Sequence, residues 1–318
     1  MASISITDLG GGVHRVTHPL PFALDHVHCY AIAGSDGWTL VDSGLGPGAE
    51  ERWRAALEQL GRPHVRSIVL THYHPDHVGG SAALARLTGA EEVLQGGVDA
   101  ELARRMYTDP SDIVDFRRFL ATHGMPVERV TESVDHERDL LIAPAPPTRR
   151  LEEGDTVVLG DDEFAALVLP GHADGHIALY DERTGRLFAG DTILHRITPN
   201  VATWHHTQPD PLARYLATLD RIADLRAAVV YPGHYQPIDD AAARAGEILE
   251  HHRIRLDVHE EVLRAGTLTS YEVAERVWGT MLAVHELRFA LSEAISHLVR
   301  LARLGRAKET APGHWATA

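Results

Sequence analysis

The sequence predicts an α/β fold with a helical C-terminal module, and three observations carry that prediction. Short apolar, β-branched runs alternate with amphipathic helical stretches through the first three quarters of the chain. Four of these runs end on side chains of the kind that bind metals, with glycines beside three of the loops. From Asp240 onward the pattern is helical.

Taken in order, Val13 to Val16, Cys29 to Ala33 and Trp38 to Asp42 read as strands, the last closed by Ser43-Gly44. Ala49 to Leu60 carries Trp53, Ala56, Leu57 and Leu60 at helical spacing, with Gly61 as its stop. Ser67 to Leu70 is a buried strand that ends where a histidine cluster begins, and a helix starts near Ser81. Between residues 98 and 150 the pattern changes. Helices over Ala100 to Tyr107 and Ile113 to His123, broken at Asp109-Pro110-Ser111, and a stiff run Ala143 to Pro147 mark a helical insertion. It could lie over a site as a lid. Strands resume at Asp155 to Leu159, Phe164 to Leu169 and Leu187 to Asp191, then a helix over Pro211 to Leu225 and a strand over Ala227 to Tyr231.

In the tail, Leu249, Leu256 and Leu263 recur every seven residues, and Thr269 and Glu272 have capping-box spacing for a helix through Trp278. Leu287, Leu291, Ile295, Leu298 and Ala302 mark one more helix, and Gly305 to Glu309 a strand or wing. Three helices and a ribbon resemble a winged helix. The expected domains are 1–239 and 240–318.

Composition narrows the function classes. Net charge is −15, which repels polyanions unless basic residues gather on one face. The tail from Ala241 holds ten basic and ten acidic residues, so its expected role is packing or homodimer formation rather than gripping nucleic acid. Lys308 is the sole lysine, which excludes a lysine nucleophile or phosphate clamp in the main domain. Cys29, the single cysteine, excludes an intramolecular disulfide and cysteine-based zinc knuckles; a buried, inert thiol is its expected fate. The N-terminus lacks a basic region followed by an apolar core, and no window reads as a membrane span, so a cytoplasmic protein is expected.

The stretch Thr71-His72-Tyr73-His74-Pro75-Asp76-His77 organises the rest. It places three imidazoles and a carboxylate, ligand types that borderline divalent metals prefer, at the end of a strand. Alternation along an extended loop sends His72 and His74 to one side and leaves Asp76 and His77 to turn toward a second position, which suits two metals better than one. Asp42, at another strand's end, is placed to orient the histidine loop. With 22 histidines in the chain clusters arise by chance, but this one follows a strand and has distant partners to complete it. Those partners are Pro170-Gly171-His172, Gly190-Asp191 and Pro232-Gly233-His234.

The segment resembles the HxHxDH signature of the metallo-β-lactamase superfamily. The resemblance covers roughly Gly12 to Ile238 and implies an αββα sandwich with metals at its edge. It implies one metal on His72, His74 and His172, a second on Asp76, His77 and His234, and Asp191 bridging them. The implied cofactors are two Zn2+ ions, with iron or manganese as alternatives. The implied nucleophile is a metal-bridging hydroxide held by Asp76 and Asp191. His176 is expected to support the ligands rather than join them, and His195, Arg196, Asn200, His205 and His206 are candidates to line a substrate pocket.

Within the family the pattern looks most like glyoxalase II and related hydrolases, including the branch with a winged-helix-like tail. His74 stands where oxygen-reducing diiron relatives carry a carboxylate, and Asp191 where the commonest true β-lactamases carry cysteine. The leading expectation is a dinuclear hydrolase of a small ester, thioester or lactone. A phosphodiesterase or endoribonuclease ranks second, favoured if Arg253, Arg255, Arg300, Arg303 and Arg306 share one face. A DNA-binding regulatory module with a ligand-sensing metal domain ranks third, and a mononuclear iron persulfide dioxygenase uses a subset of the same ligands.

Overall fold

Strands that are apolar on both faces need cover on both sides, and the chain supplies it with two stacked sheets and helices outside each. The computed structural model describes residues 4–318. The expected lack of a leader bears in part on residues 1–3, outside the described residues.

The first sheet has seven strands in chain order: β1 (Ser5–Asp8), β2 (Val13–Pro19), β3 (His26–Ile32), β4 (Trp38–Val41), β5 (Val65–Leu70), β6 (Glu92–Gly96) and β7 (Arg149–Leu151). Pairing is antiparallel up to β4 and parallel from β4 to β7. The parallel pairs require crossovers, which contain α1 (Ala49–Gln59), then α2 (Pro75–Val78) and α3 (Ser81–Thr88), then α4 (Gly97–Thr108), α5 (Pro110–Thr122) and α6 (Val127–Leu140).

The second sheet, ordered β12-β11-β10-β9-β8, consists of β8 (Thr156–Leu159), β9 (Asp162–Val168), β10 (Ile177–Asp181), β11 (Arg186–Gly190) and β12 (Val229–Pro232). It is antiparallel except for the β11–β12 pair, which α7 (Pro211–Leu225) connects.

Tyr30, Val69 and Leu94 of the first sheet meet Phe164, Leu179 and Phe188 of the second in the central core. Trp53, Ala56 and Leu84 on α1 and α3 cover the outer face of the first sheet. Leu212, Tyr215, Leu219 and Ile222 on α7 cover the second. This is the expected αββα sandwich. Each large apolar side chain so buried contributes roughly 1.5–3 kcal/mol.

The tail forms α8 (Ala241–Leu263), β13 (Leu268–Thr269), α9 (Ser270–Trp278), α10 (Val284–Arg303), β14 (Ala307–Ala311) and β15 (His314–Thr317), the three strands pairing as β13-β15-β14. Thr269 and Glu272 make the capping box at α9. The apolar core does not stop at residue 240, because Ile248, Leu256, Val273, Leu298 and Trp315 continue the cluster around α7.

Inside the insertion the structure adds α6, whose sparse apolar positions Val127, Val130 and Val134 left little period to read. Asp109 is a helix cap rather than a gap: its carboxylate accepts the Ser111 N–H, with Pro110 in the first turn. The end of the 98–150 stretch returns to the first sheet as β7, beside β6. Phe116, Leu120, Val130 and Val134 of the insertion pack against Leu287, Leu291 and Ile295 of α10, so insertion and tail form one roof.

Candidate metal centre

β5 delivers Thr71 and His72, and α2 winds immediately after His74, with Pro75 in its first turn. The short helix brings Asp76 and His77 to a donor group with His234, while the His77 ring stays within 4.1 Å, centroid to centroid, of His72. His172 follows β9, Asp191 follows β11 and His234 follows β12. His72, His74 and His172 converge as one set of donors, and Asp76, His77 and His234 as another. Asp191 joins them. Its Oδ2 lies 3.8 Å from His172 Nε2, 3.5 Å from His77 Nε2 and 3.2 Å from His234 Nε2.

The hydrogen bonds behind the rings fix which nitrogen faces inward. His172 Nδ1 donates to Asn200 O at 2.8 Å and His234 Nδ1 to His26 O at 2.7 Å. His77 Nδ1 donates to Asp42 Oδ2 at 2.7 Å. The Thr71 hydroxyl, spent as a donor on Asp42, can accept from His72 Nδ1 at 3.0 Å. Four Nε2 lone pairs therefore point at the centre. His72 Nε2 faces His172 Nε2 at 3.3 Å and His74 Nδ1 at 3.0 Å. His77 Nε2 and Asp191 Oδ1 are buried with no partner. Lone pairs aimed at lone pairs and an unpartnered buried carboxylate oxygen fit cations and leave the donors unsatisfied without them.

Electrostatics agree. Burial opposes charge on His77 and His234, yet the neighbouring carboxylates, Asp191 foremost, hold His77 well above its usual range and His234 up to about 10. Burial alone would raise Asp191, but His234 and His77 pull it well below the carboxylate range. His72 is driven well down, by burial first and then by the surrounding imidazoles. Without cations His77 and His234 thus hold protons beside ionised Asp76 and Asp191, while His72, His74 and His172 stay neutral.

Asp42 does what its position predicted, tying Thr71 to His77. It adopts a left-handed φ of 62° to do so. Gly233 is required by space, since a Cβ there would lie 2.3 Å from Asp191 Oδ1. His176 supports the ligands as expected: it accepts the Asp191 N–H at 3.1 Å and stacks on His72 with centroids 4.6 Å apart.

The centre opens into a cavity of about 330 Å3. Asn200, His205 and His206 line it; His195 and Arg196 are exposed and stand outside the lining. The turn after Asp191 aims Leu194 and Ile197 inward instead. Most of the wall came from elsewhere: Leu20 and Phe22 before β3, Phe116 from α5, Trp204, and Arg288 and Phe289 from α10. Phe22 stacks on His285 with centroids 4.3 Å apart, which closes one side. No local motif announces these residues. The nearest signal is Arg288 beside the apolar stripe of α10, where it is buried and paired with Glu137 of α6.

Comparison with known proteins identifies the family. The profile of the Metallo-beta-lactamase superfamily matches residues 23–234. A Bacillus subtilis protein titled "Probable metallo-hydrolase YqjP" is 26% identical over 93% of this chain and 93% of its own length. An "Acyl-coenzyme A thioesterase MBLAC2" from Gallus gallus is 27% identical over 71% of this chain and 79% of its own. The crystal structure of a metallo-beta-lactamase family protein from Thermus thermophilus superposes with a TM-score of 0.87 at 32% identity, covering 98% of this chain and 100% of that one.

Proposed function

The chain belongs to the metallo-β-lactamase superfamily and is a metal-dependent hydrolase, and from that premise we propose a dinuclear enzyme acting on a small acyl ester, thioester or lactone. The observation that carries the dinuclear reading is Asp191 Oδ2, within 4 Å of nitrogens from both donor groups. Zinc is the proposed ion, with iron or manganese as alternatives that the same nitrogen and oxygen donors accept. His72, His74, His172, Asp76, His77, His234 and Asp191 would hold the ions, which when bound would make hydroxide available near neutral pH and would polarise a carbonyl.

The chain's own residues do the rest. Asp191 holds the two donor groups in register. The Asp76 side chain keeps 21% exposure toward the cavity, so it can accept a hydrogen bond from the attacking water and aim its lone pair at the substrate. Phe22, Phe116, Trp204 and Phe289 offer the acyl group an apolar wall and exclude bulk water. The similarity to a protein named as an acyl-coenzyme A thioesterase supports an acyl substrate.

A polyanion fits poorly. Arg253 pairs with Glu250 and Asp257, Arg300 with Asp210, and Arg306 with Asp257 and Glu260. Arg255 lies over the Trp278 ring. These four arginines serve acidic and aromatic neighbours, and Arg303, the fifth, is exposed, so among the described residues one unpaired side chain is left where an open basic face needs several. A reducing, cytoplasmic setting belongs to the same proposal: Cys29 is a buried free thiol whose pKa burial pushes well up. No helix among the described residues is long and apolar enough to cross a membrane.

The test is turnover by zinc-loaded protein of an acyl thioester series of rising chain length, a lactone, a β-lactam and an activated phosphodiester. Acyl substrates should lead, and kcat/KM should rise with chain length until the cavity is full. Phe289→Ala should shift that optimum, since one methylene in an apolar pocket is worth roughly 1–3 kcal/mol. Phosphodiester turnover above the acyl substrates would sink the proposal.

A further inference from the structure

Outside the seven ligands, one more set of metal-type side chains converges. Asp112, in the first turn of α5, and His205 and His206, between Asp191 and α7, each offer one donor atom, and the three atoms lie within 4.8 Å of one another. Asp112 is 6% exposed and the His205 side chain 9%. His205 Nε2 stands 2.9 Å from Asp112 Oδ1, and His206 Nε2 meets the Tyr73 hydroxyl at 3.2 Å. The Nδ1 atoms of both rings are buried without a partner. The Asp112 and Tyr73 contacts are thus the hydrogen bonds that hold the two rings, and each ring keeps one buried nitrogen with no protein partner. We propose that Asp112, His205 and His206 form a further cation site, for a divalent ion of the zinc, cobalt or nickel type, in the roof of the cavity.

The donor set of two imidazoles and one carboxylate suits that class of ion. His206 is pushed down to about 3, by burial first and then by His205, so near neutral pH its ring offers a lone pair rather than a second proton. Arg105 is the opposing charge: its Nε lies 3.0 Å from Asp112 Oδ1 and its Nη2 3.2 Å from Asp115 Oδ2. Arg118 Nη1 also lies 3.0 Å from Asp115 Oδ1, so two guanidiniums balance the two carboxylates, and the Arg105 side chain is 37% exposed and screened by water. The roof site therefore holds its ion more weakly than the floor. An ion there would tie α5 of the insertion to the segment that carries Asp191 and Asn200, fixing the roof over the catalytic floor.

The site does not depend on the floor holding two ions, so the informative quantity is a difference. Metal content per chain, by inductively coupled plasma mass spectrometry at a buffered micromolar free zinc concentration, should fall by one equivalent from the wild type to His205→Ala/His206→Ala. It should fall by one whether the floor takes one ion or two. Equal metal content in the two proteins overturns the proposal. Should the double variant fail to fold, cobalt titration of metal-stripped wild type and Asp112→Asn, followed by the visible d–d absorption, decides instead. An extra, weaker equivalent in the wild type that is missing from Asp112→Asn supports the site, and identical end points in both refute it.

Discussion

The floor of the cavity takes seven ligand-type side chains from loops that follow four strands. Most of their rings are fixed by a hydrogen bond on the nitrogen turned away from the centre. The roof takes Phe22, Phe116, Trp204, Arg288 and Phe289 from segments far apart in the chain and holds them by helix packing and one buried ion pair. Floor residues are placed by backbone that neighbouring strands already fix, so their geometry is local and rigid. Roof residues depend on α5, α6 and α10 docking together. The floor therefore sets the chemistry, and the roof sets what reaches it.

Substitutions can pull these two regions apart. The largest effect should come from the floor: Asp191→Ala removes the proposed shared ligand. It should lower acyl turnover by well over the roughly 10- to 100-fold that loss of an outer partner such as Asp42→Asn produces. Metal analysis should show ions lost while circular dichroism stays native; undiminished turnover would refute the shared-ligand assignment.

The roof should respond in stability first. Arg288→Met strands the Glu137 carboxylate in a buried setting, a change that typically costs about 3–5 kcal/mol. The double variant Arg288→Met/Glu137→Leu should recover most of that in denaturant unfolding. If the single and double variants unfold alike, the ion pair is not what joins the insertion to α10.

The smallest effect lies under the roof, where buried His252 and His297 face each other at 3.3 Å, with His251, Arg255, Glu293 and Tyr215 nearby. Burial pushes His252 down to about 2 and His297 down to about 4, from an ordinary 6.5. The unfolded chain thus takes up protons first, and stability falls as pH drops through 6.5. Glu293 works in the other direction. Burial raises it from 4.5 to about 7, so its contribution is full below 4.5 and is lost as pH rises toward 7. Glu293→Gln removes that opposing contribution, and the thermal midpoint should then fall more steeply between pH 7 and pH 5 than in the wild type. A variant slope equal to or shallower than the wild type would show that Glu293 is not buried as described.

The contrast between floor and roof also explains what could be read from residue order. The seven proposed ligands, the contacts that Asp42 and His176 make with them, and most strands and helices were legible, because a strand followed by a glycine-rich polar loop encodes its own geometry. The missed elements were short or weakly patterned: β1 with four residues, β6 and β10 with five each, β7 with three, the four-residue α2, β13 and β15 in the tail, and α6 with few apolar positions. His195 and Arg196 were placed in the pocket on proximity to Asp191 alone, and a turn carries them to the surface.

Residue order supplied the clusters of metal-type side chains at strand ends, which depend on residue type and a spacing of a few positions. Through the resemblance to the metallo-β-lactamase superfamily it implied the αββα sandwich and the expected sharing of those side chains between two metals with Asp191 common to both. Only the tertiary structure decided that α10 of the tail walls the cavity, that Arg288 finds Glu137 and that Asp112 meets His205 and His206. Those pairs, Arg288 with Glu137 and His205 with Asp112, stand 151 and 93 positions apart in the chain. Nothing in residue order ties such pairs together, because the docking of whole helices through distributed apolar contacts sets which side chains meet.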